Sequence, residues 1–335
     1  MYDAYYGLSA RPFRLAPDPA LFYESKGHRS ARRYLDYRAS QGEGVIALTG
    51  EIGTGKTTLI RALAAALAAQ PVVLAQLVDT GPDAGQLLQA VALAFGVPQP
   101  EPGAASALEE FLHGLQRIGK RALLIVDEAQ NLSVEGILAL HALAATKPAG
   151  VPLLQVFLVG QPELHTRVLQ AWQQCAPAST VPTYHLGPLQ AAETRAYIEH
   201  RLTAAGWRGD PVIDPEAYGL LHQISGGVPR RINALCNRLL LNGSINGTRR
   251  FGLGEVDAVA AELGQELGAY ADELRSGSAA PQRPRGDASR PTGLSSLSAR
   301  LDWLERASAR LLELVQRVPA RLAAHERVRR APPRP

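Results

Sequence analysis

Apolar and polar positions follow two rhythms along the first half of the chain. Short runs of apolar, partly β-branched residues occur at 45–50, 72–78, 122–127, 153–160 and 183–186. Such runs, too short for helices and bounded by Gly, Pro or charged residues, predict buried strands. Between them, 57–69, 84–95, 106–119 and 134–145 carry Leu and Ala at helical spacing. Strands that alternate with helices predict a parallel α/β sheet, because parallel neighbours need a crossover long enough to hold a helix. After Pro188 the strand signals stop, and 191–205, 215–225, 229–242 and 254–274 read as helices broken by Gly and Pro. The pattern thus divides the chain into an α/β domain over 1–189 and a smaller all-helical domain over 190–275.

Residues 276–293 are rich in Pro, Gly, Ser and Arg with almost nothing to bury, the composition of a flexible linker. Beyond them, Leu294, Leu297, Leu301, Leu304, Ser308, Leu311, Val315, Val318 and Leu322 fall at alternating steps of three and four. This seam predicts an amphipathic heptad helix over 294–330, suited to self-association or to pairing with a partner helix. A lone helix docked on the body is the competing reading, favoured by Ser308 in the seam and Pro319 near its end.

The chain has 335 residues, 46% hydrophobic and 20% charged. No apolar run approaches the ~20 residues of a membrane helix, and the first residues show neither a basic nor an apolar leader region. The expected place is the cytoplasm or the inner face of the cell membrane. Cys175 and Cys236 are too few and too far apart for a disulfide framework or a zinc site. The net charge of +4 is uneven: residues 1–275 hold 23 Lys/Arg against 26 Asp/Glu, whereas 276–335 hold 12 Arg against 5 acids. The basicity therefore belongs to the tail, which argues against a nucleic-acid face on the folded domains.

The sharpest chemical signal is Gly50-Glu51-Ile52-Gly53-Thr54-Gly55-Lys56-Thr57, followed by Thr58, set between a predicted strand and a predicted helix. Glycines there let successive backbone N–H groups curl around a phosphate at a helix N-terminus. Lys56 is the cation for the β- and γ-phosphates, and Thr57 supplies a hydroxyl to Mg²⁺. A second signal is Leu123-Leu124-Ile125-Val126-Asp127-Glu128, a buried strand that delivers an acid to the C-terminal edge of the sheet. Asp127 is the expected second holder of Mg²⁺, and Glu128 the base that polarises a water for attack on the γ-phosphate. The implied cofactors are ATP and Mg²⁺.

Further motifs stand in one order. They are Tyr5-Tyr6-Gly7-Leu8 with Arg11-Pro12-Phe13 and Pro17-Asp18-Pro19; Gly42-Glu43-Gly44; Asp127-Glu128-Ala129-Gln130-Asn131-Leu132; Leu158-Val159-Gly160-Gln161-Pro162-Glu163-Leu164; Tyr184-His185-Leu186-Gly187-Pro188-Leu189; Glu193-Thr194-Arg195-Ala196-Tyr197-Ile198-Glu199-His200-Arg201-Leu202; and Gly226-Gly227-Val228-Pro229-Arg230-Arg231-Ile232-Asn233. Over about residues 1–270 this set resembles AAA+ ATPases of the ExeA/GspA-like secretion class, and most nearly those associated with the XrtA/PEP-CTERM exosortase and exopolysaccharide system. The resemblance implies a P-loop fold with a helical lid, ATP hydrolysis and assembly of several copies. It implies that Gln161 is sensor 1, near the γ-phosphate, and that Arg230 is the lid arginine that reads the nucleotide, with Arg231 as its rival. His28 stands where relatives approach the adenine, or else caps a helix.

One segment departs from the pattern. Relatives carry an arginine just before the last strand of the sheet, offered to a neighbouring subunit, but residues 173–183 contain none and Ser179 stands in its place. An arginine finger contributes roughly 10³–10⁵ in rate, so its loss predicts slow hydrolysis unless Arg167 substitutes. Three functions follow from the resemblance: an ATP-hydrolysing motor or regulator of envelope export, a barely hydrolysing ATP switch whose tail recruits an envelope partner, and a DNA-acting ATPase.

Overall fold

In this computed structural model the described residues are 2–15, 21–42, 44–78, 84–97, 103–175 and 181–276. Pro17-Asp18-Pro19, Glu43, Ser179 and, past Ser276, both the linker expected at 276–293 and the seam expected at 294–330 lie outside them.

The five apolar runs become strands β1 (Val45–Thr49), β2 (Val72–Leu77), β3 (Arg121–Val126), β4 (Leu154–Gly160) and β5 (Thr183–His185). They form one sheet in the order β2-β3-β4-β1-β5, every pair parallel. Each crossover holds helix: α3 (Lys56–Leu67) after β1, α4 (Ala84–Ala94) and α5 (Ala104–Arg117) after β2, α6 (Val134–Ala145) after β3, and α7 (Glu163–Cys175) after β4. Two helices, α1 (Tyr2–Tyr5) and α2 (Lys26–Gln41), precede the sheet.

Both faces of the sheet are covered, which is why its central strands read as continuous apolar runs. Val45, Ala47, Leu124, Val126, Val156 and Leu158 pack with side chains of α4 to α7, while Ile46, Leu48, Leu123, Ile125, Phe157 and Val159 pack with those of α2 and α3. The period-2 alternation thus sends neighbouring residues of one strand to opposite layers. Gln155 interrupts the second set. It is buried, and its side-chain N–H donates to the Arg38 carbonyl at 2.7 Å.

The helices after the sheet are α8 (Ala191–Ala204), α9 (Pro215–Ser225), α10 (Pro229–Asn246) and α11 (Leu253–Ser276). One feature there corrects the all-helical expectation for 190–275: β6 (Val212–Ile213) and β7 (Arg250–Phe251) pair in parallel. Two-residue strands leave no periodicity to read. The chain groups into two compact units. One is Gly7–Arg208 with Gly227–Ala234; the other is Gly209–Gly226 with the described parts of 1–6 and 235–335. In the first, α8 goes with the sheet. In the second, Phe251 is fully buried, Tyr6 lies edge-on against it, and the Tyr2 hydroxyl donates to Asn237 at 2.7 Å.

Candidate functional site

Everything described here belongs to the unit that contains the sheet. The loop from Gly50 to Gly55 leaves β1 and enters α3, and its backbone turns through left-handed conformations at Gly53 (φ 86°) and Gly55 (φ 100°). Side chains are excluded there on two grounds. Besides the φ values, a Cβ on Gly53 would fall 2.3 Å from Arg230 Cβ, and one on Gly55 would fall 2.6 Å from His28 Nε2. The Lys56 ammonium is almost buried and donates to the carbonyls of Gly50 at 2.7 Å and Glu51 at 2.8 Å. The Thr54 hydroxyl closes the turn on Glu51 O at 2.9 Å. A loop of this shape before a helix N-terminus concentrates backbone donors and partial positive charge where an anion can sit.

Strand β3 carries Asp127 to the edge of the sheet beside this loop. Its carboxylate accepts from the Thr57 hydroxyl at 3.0 Å and from the Glu128 backbone N–H at 3.0 Å. Burial pushes its pKa up, against the pull of these two hydrogen bonds and of Lys56. A carboxylate that is costly to ionise, next to a hydroxyl and a phosphate loop, fits a hard divalent cation, whose charge offsets the desolvation. Glu128 follows in the left-handed region (φ 51°), the one non-glycine with positive φ among the described residues. Strain of that kind gathers at functional sites. Gln130 Nε2 donates to Glu128 Oε2 at 2.6 Å, and Gln130 Oε1 accepts from the backbone N–H of Gln161 at 3.0 Å.

A cavity of about 230 Å³ opens on the loop, lined by residues 52–58, Glu128 and Arg230 and by the apolar and aromatic side chains of Leu21, Phe22, Tyr23, His28 and Tyr197. The lining is braced from α8. Arg201, buried, donates to the carbonyls of Arg14 at 2.8 Å and Leu21 at 3.4 Å, and the Tyr197 hydroxyl donates to Asn233 at 2.8 Å. A phosphate loop and aromatic side chains around one cavity have the chemistry of a nucleotide pocket.

Of the residues singled out from the sequence, Lys56, Thr57, Glu128 and Arg230 line the cavity, and Asp127 stands behind them through its contact with the Thr57 hydroxyl. Arg230 lines the cavity, and its backbone N–H donates to Gly53 O at 3.3 Å. Arg231 turns elsewhere: it is buried and pairs with Glu51 at 3.8 Å. Gln161 directly follows β4, beside Asp127's strand, but its backbone N–H makes the contact to Gln130 and its side chain is not among those lining the cavity. His28 lines the cavity and also caps, with Nε2 on the Thr54 carbonyl at 2.9 Å and Nδ1 on Ser25 Oγ at 2.7 Å. Arg167 donates to the Leu132 carbonyl at 2.7 Å. Sequence reasoning missed Gln130, Arg201 and Tyr197. All three stood inside motifs, but only tertiary packing brings them to the site.

Residues 38–168 match the family model described as AAA domain. The chain is 34% identical over 267 residues to General secretion pathway protein A of Aeromonas hydrophila, an alignment that takes in 78% of this chain and 48% of that protein. It therefore spans about half the length of that curated relative. Among solved structures it is similar to the ADP form of the Aeropyrum pernix ORC2 protein, with TM-score 0.54, 21% identity, and 75% of this chain and 72% of that one covered. CDC6P from Pyrobaculum aerophilum gives TM-score 0.55 and 16% identity, covering 78% and 70%. With the strand order and the phosphate loop, these likenesses establish the parallel-sheet α/β P-loop fold of AAA domains.

Proposed function

We propose that this chain binds ATP with Mg²⁺ and hydrolyses it, as an AAA+ ATPase that serves an envelope export machinery of the secretion or exopolysaccharide type. The observation that carries the chemistry is a single cavity lined by the glycine loop, Thr57, Glu128 and aromatic side chains, with Asp127 hydrogen-bonded to the Thr57 hydroxyl. Backbone N–H groups of residues 53–57 and the Lys56 ammonium hold the phosphates, Lys56 exchanging its loop carbonyls for phosphate oxygens. Thr57 and Asp127 hold Mg²⁺, which when bound neutralises charge on the β- and γ-phosphate oxygens. Glu128 orients a water and takes its proton. Arg230, at the start of α10, lines the cavity beside Gly53 and reads the bound phosphates. The aromatic lining, with His28, Phe22 and Tyr23, receives the base.

The export setting rests on the likeness to General secretion pathway protein A, and assembly of several copies through residues 294–330 rests on their heptad seam. No helix of the described residues is long and apolar enough to cross a membrane, and we place the working site in the cytoplasm or at the inner face of the membrane. A second reading, a slowly hydrolysing switch, is favoured by residues 173–183, which lack arginine, and by the engagement of Arg167 with Leu132 O. The likeness to ORC2 and CDC6P is one of fold and carries no DNA-acting role.

The test pairs Lys56→Ala with Glu128→Gln in the full chain. Lys56→Ala should abolish binding of a fluorescent ATP analogue, whereas Glu128→Gln should keep binding and lose phosphate release, because the amide preserves Mg²⁺ coordination and is a far weaker base. Micromolar affinity in the first variant, or parental turnover in the second, would sink the respective assignment.

A further inference from the structure

The Glu128 carboxylate and the end of β4 are joined by one side chain. Gln130 donates through Nε2 to Glu128 Oε2 at 2.6 Å and accepts through Oε1 from the Gln161 backbone N–H at 3.0 Å. The two contacts use the two ends of one amide, so neither forms without fixing the other. The β4 end is shaped to admit that amide: a Cβ on Gly160 would stand 2.5 Å from Gln130 Oε1 and 3.1 Å from Gln130 N. Gly160 has no positive φ, so its need for a bare Cα is about space for Gln130, not about backbone freedom. Gln130 itself sits in the short 3-10 turn Ala129–Asn131 that Glu128 enters through its left-handed backbone.

Left alone, Glu128 would have three side-chain torsions free in a solvent-facing position, and a base acts only when its oxygen is held within hydrogen-bond reach of the water it polarises. We propose that Gln130 is the positioning residue of the site, an amide strut that holds the Glu128 carboxylate in its working orientation and references it to the end of β4, where the sheet edge meets the γ-phosphate position. This rests on Glu128 being the base in the reading above. The strut also gives the β4 end a route to the chemistry that does not pass through the Gln161 side chain: a shift of the Gln161 backbone moves Glu128 through Gln130.

Gln130→Glu separates the two ends of the strut. It is nearly isosteric and keeps an oxygen for the Gln161 N–H, but replaces the donor to Glu128 with a like charge. Gly160→Ala instead crowds the amide out while leaving both functional groups unchanged. In the full chain, with phosphate release measured against ATP concentration and binding measured with a fluorescent ATP analogue, both variants should lose about tenfold or more in kcat, up to the 10²–10⁴ that a positioned base contributes, with KM and analogue affinity within about twofold of the parent. A purely structural role for Gln130 predicts the opposite split for Gln130→Glu, whose seat at β4 survives: kcat at the parental value. That result overturns the proposal. Glu128→Gln run alongside keeps the two claims apart. If Glu128→Gln is inactive and Gln130→Glu is parental, only the strut is wrong; if Glu128→Gln turns over at the parental rate, the base assignment falls and the strut falls with it.

Discussion

His28 Nε2 lies 2.9 Å from the carbonyl oxygen of Thr54, so a residue at the start of α2 grips the middle of the phosphate loop. With its proton on Nε2 the neutral ring donates to Thr54 O, and Nδ1 accepts from the Ser25 hydroxyl, which in turn caps the helix by accepting the His28 backbone N–H at 3.2 Å. Every polar atom of the pair is used. His28→Ala leaves a buried carbonyl without its donor and frees the loop, and the expected cost is about 1–3 kcal/mol of stability. Nucleotide affinity should fall as well, because binding must then order the loop. Urea denaturation and titration with a fluorescent ATP analogue measure both, and parental values in the two assays would show that the grip is idle.

The same residue predicts a pH dependence. Burial pushes the His28 pKa below the ordinary 6.5, outweighing the Thr54 contact and the charges of Glu193 and Glu24, which pull it up. The unfolded chain therefore binds a proton at a higher pH than the folded one, and stability rises with pH across that interval. The contribution is complete above about pH 6.5 and is lost as the pH falls through the lower folded value. Denaturation midpoints of the parent and of His28→Gln should converge between about pH 7 and pH 5, the range in which an imidazole titrates. Parallel curves would assign the acid sensitivity to other groups.

Asp127 illustrates a conflict between stability and chemistry. Its carboxylate is buried and its pKa is pushed up by that burial, so without a cation the charged form is a liability that two hydrogen bonds relieve only in part. Asp127→Asn keeps an acceptor for the Glu128 N–H and removes the charge. The nucleotide-free variant should be more stable than the parent by about 0.5–2 kcal/mol while losing Mg²⁺-dependent turnover. Calorimetry without ligand, set beside phosphate release with Mg²⁺, tests the pair of effects. A destabilised variant would show that the carboxylate is structurally required.

Why some of this was legible in the sequence and some was not has a physical basis. The strands were readable because a parallel sheet covered on both faces needs apolar residues at consecutive positions, as Leu123 to Val126 show. The glycine loop and the acid after β3 were readable because their spacing is set by the phosphates and not by distant packing. By contrast α2 buries only His28, Ala31, Leu35 and Ala39 among many charged residues, too faint a stripe to stand out. The stripe of α7, Leu164, Val168, Ala171 and Trp172, is regular and was within reach of the same reading. Arg201, which looks like one more exposed arginine on α8, is buried against carbonyls of Arg14 and Leu21, 187 and 180 residues away along the chain. No local pattern encodes such a contact. The Gln130 strut depends on the left-handed backbone of Glu128, which its sequence neighbours do not announce.

The heptad residues Leu294 to Leu322 supply the next expectation. Deleting 294–335 should leave ATP binding unchanged and lower self-association or capture of a partner helix, since an a/d seam stabilises a helix mainly by giving it another helix to pack on. Light scattering of the full and shortened chains over a range of concentration is the measurement. Identical masses throughout, with equal retention of envelope components, would count against the seam.

The last prediction concerns the missing arginine. Residues 173–183 hold no Arg, the resemblance to ExeA/GspA-like ATPases implies one at the position of Ser179, and the nearby alternative, Arg167, already donates to the Leu132 carbonyl at 2.7 Å. That carbonyl follows the turn that carries Gln130, so Arg167 braces the Glu128 turn from within its own chain. Arg167→Ala should therefore cost about 0.5–1.5 kcal/mol in stability, the net range of an ordinary hydrogen bond, because the guanidinium is exposed to water. Its turnover per subunit should keep the parental dependence on protein concentration. A guanidinium offered by a neighbour stabilises charge on the transferring phosphoryl group only when copies meet. Ser179→Arg should accordingly raise turnover, and raise it more at high protein concentration than at low. A fast parental rate that Arg167→Ala abolishes would show that the finger has moved to α7, and equal slow rates for parent and Ser179→Arg at every concentration would favour the switch over the motor.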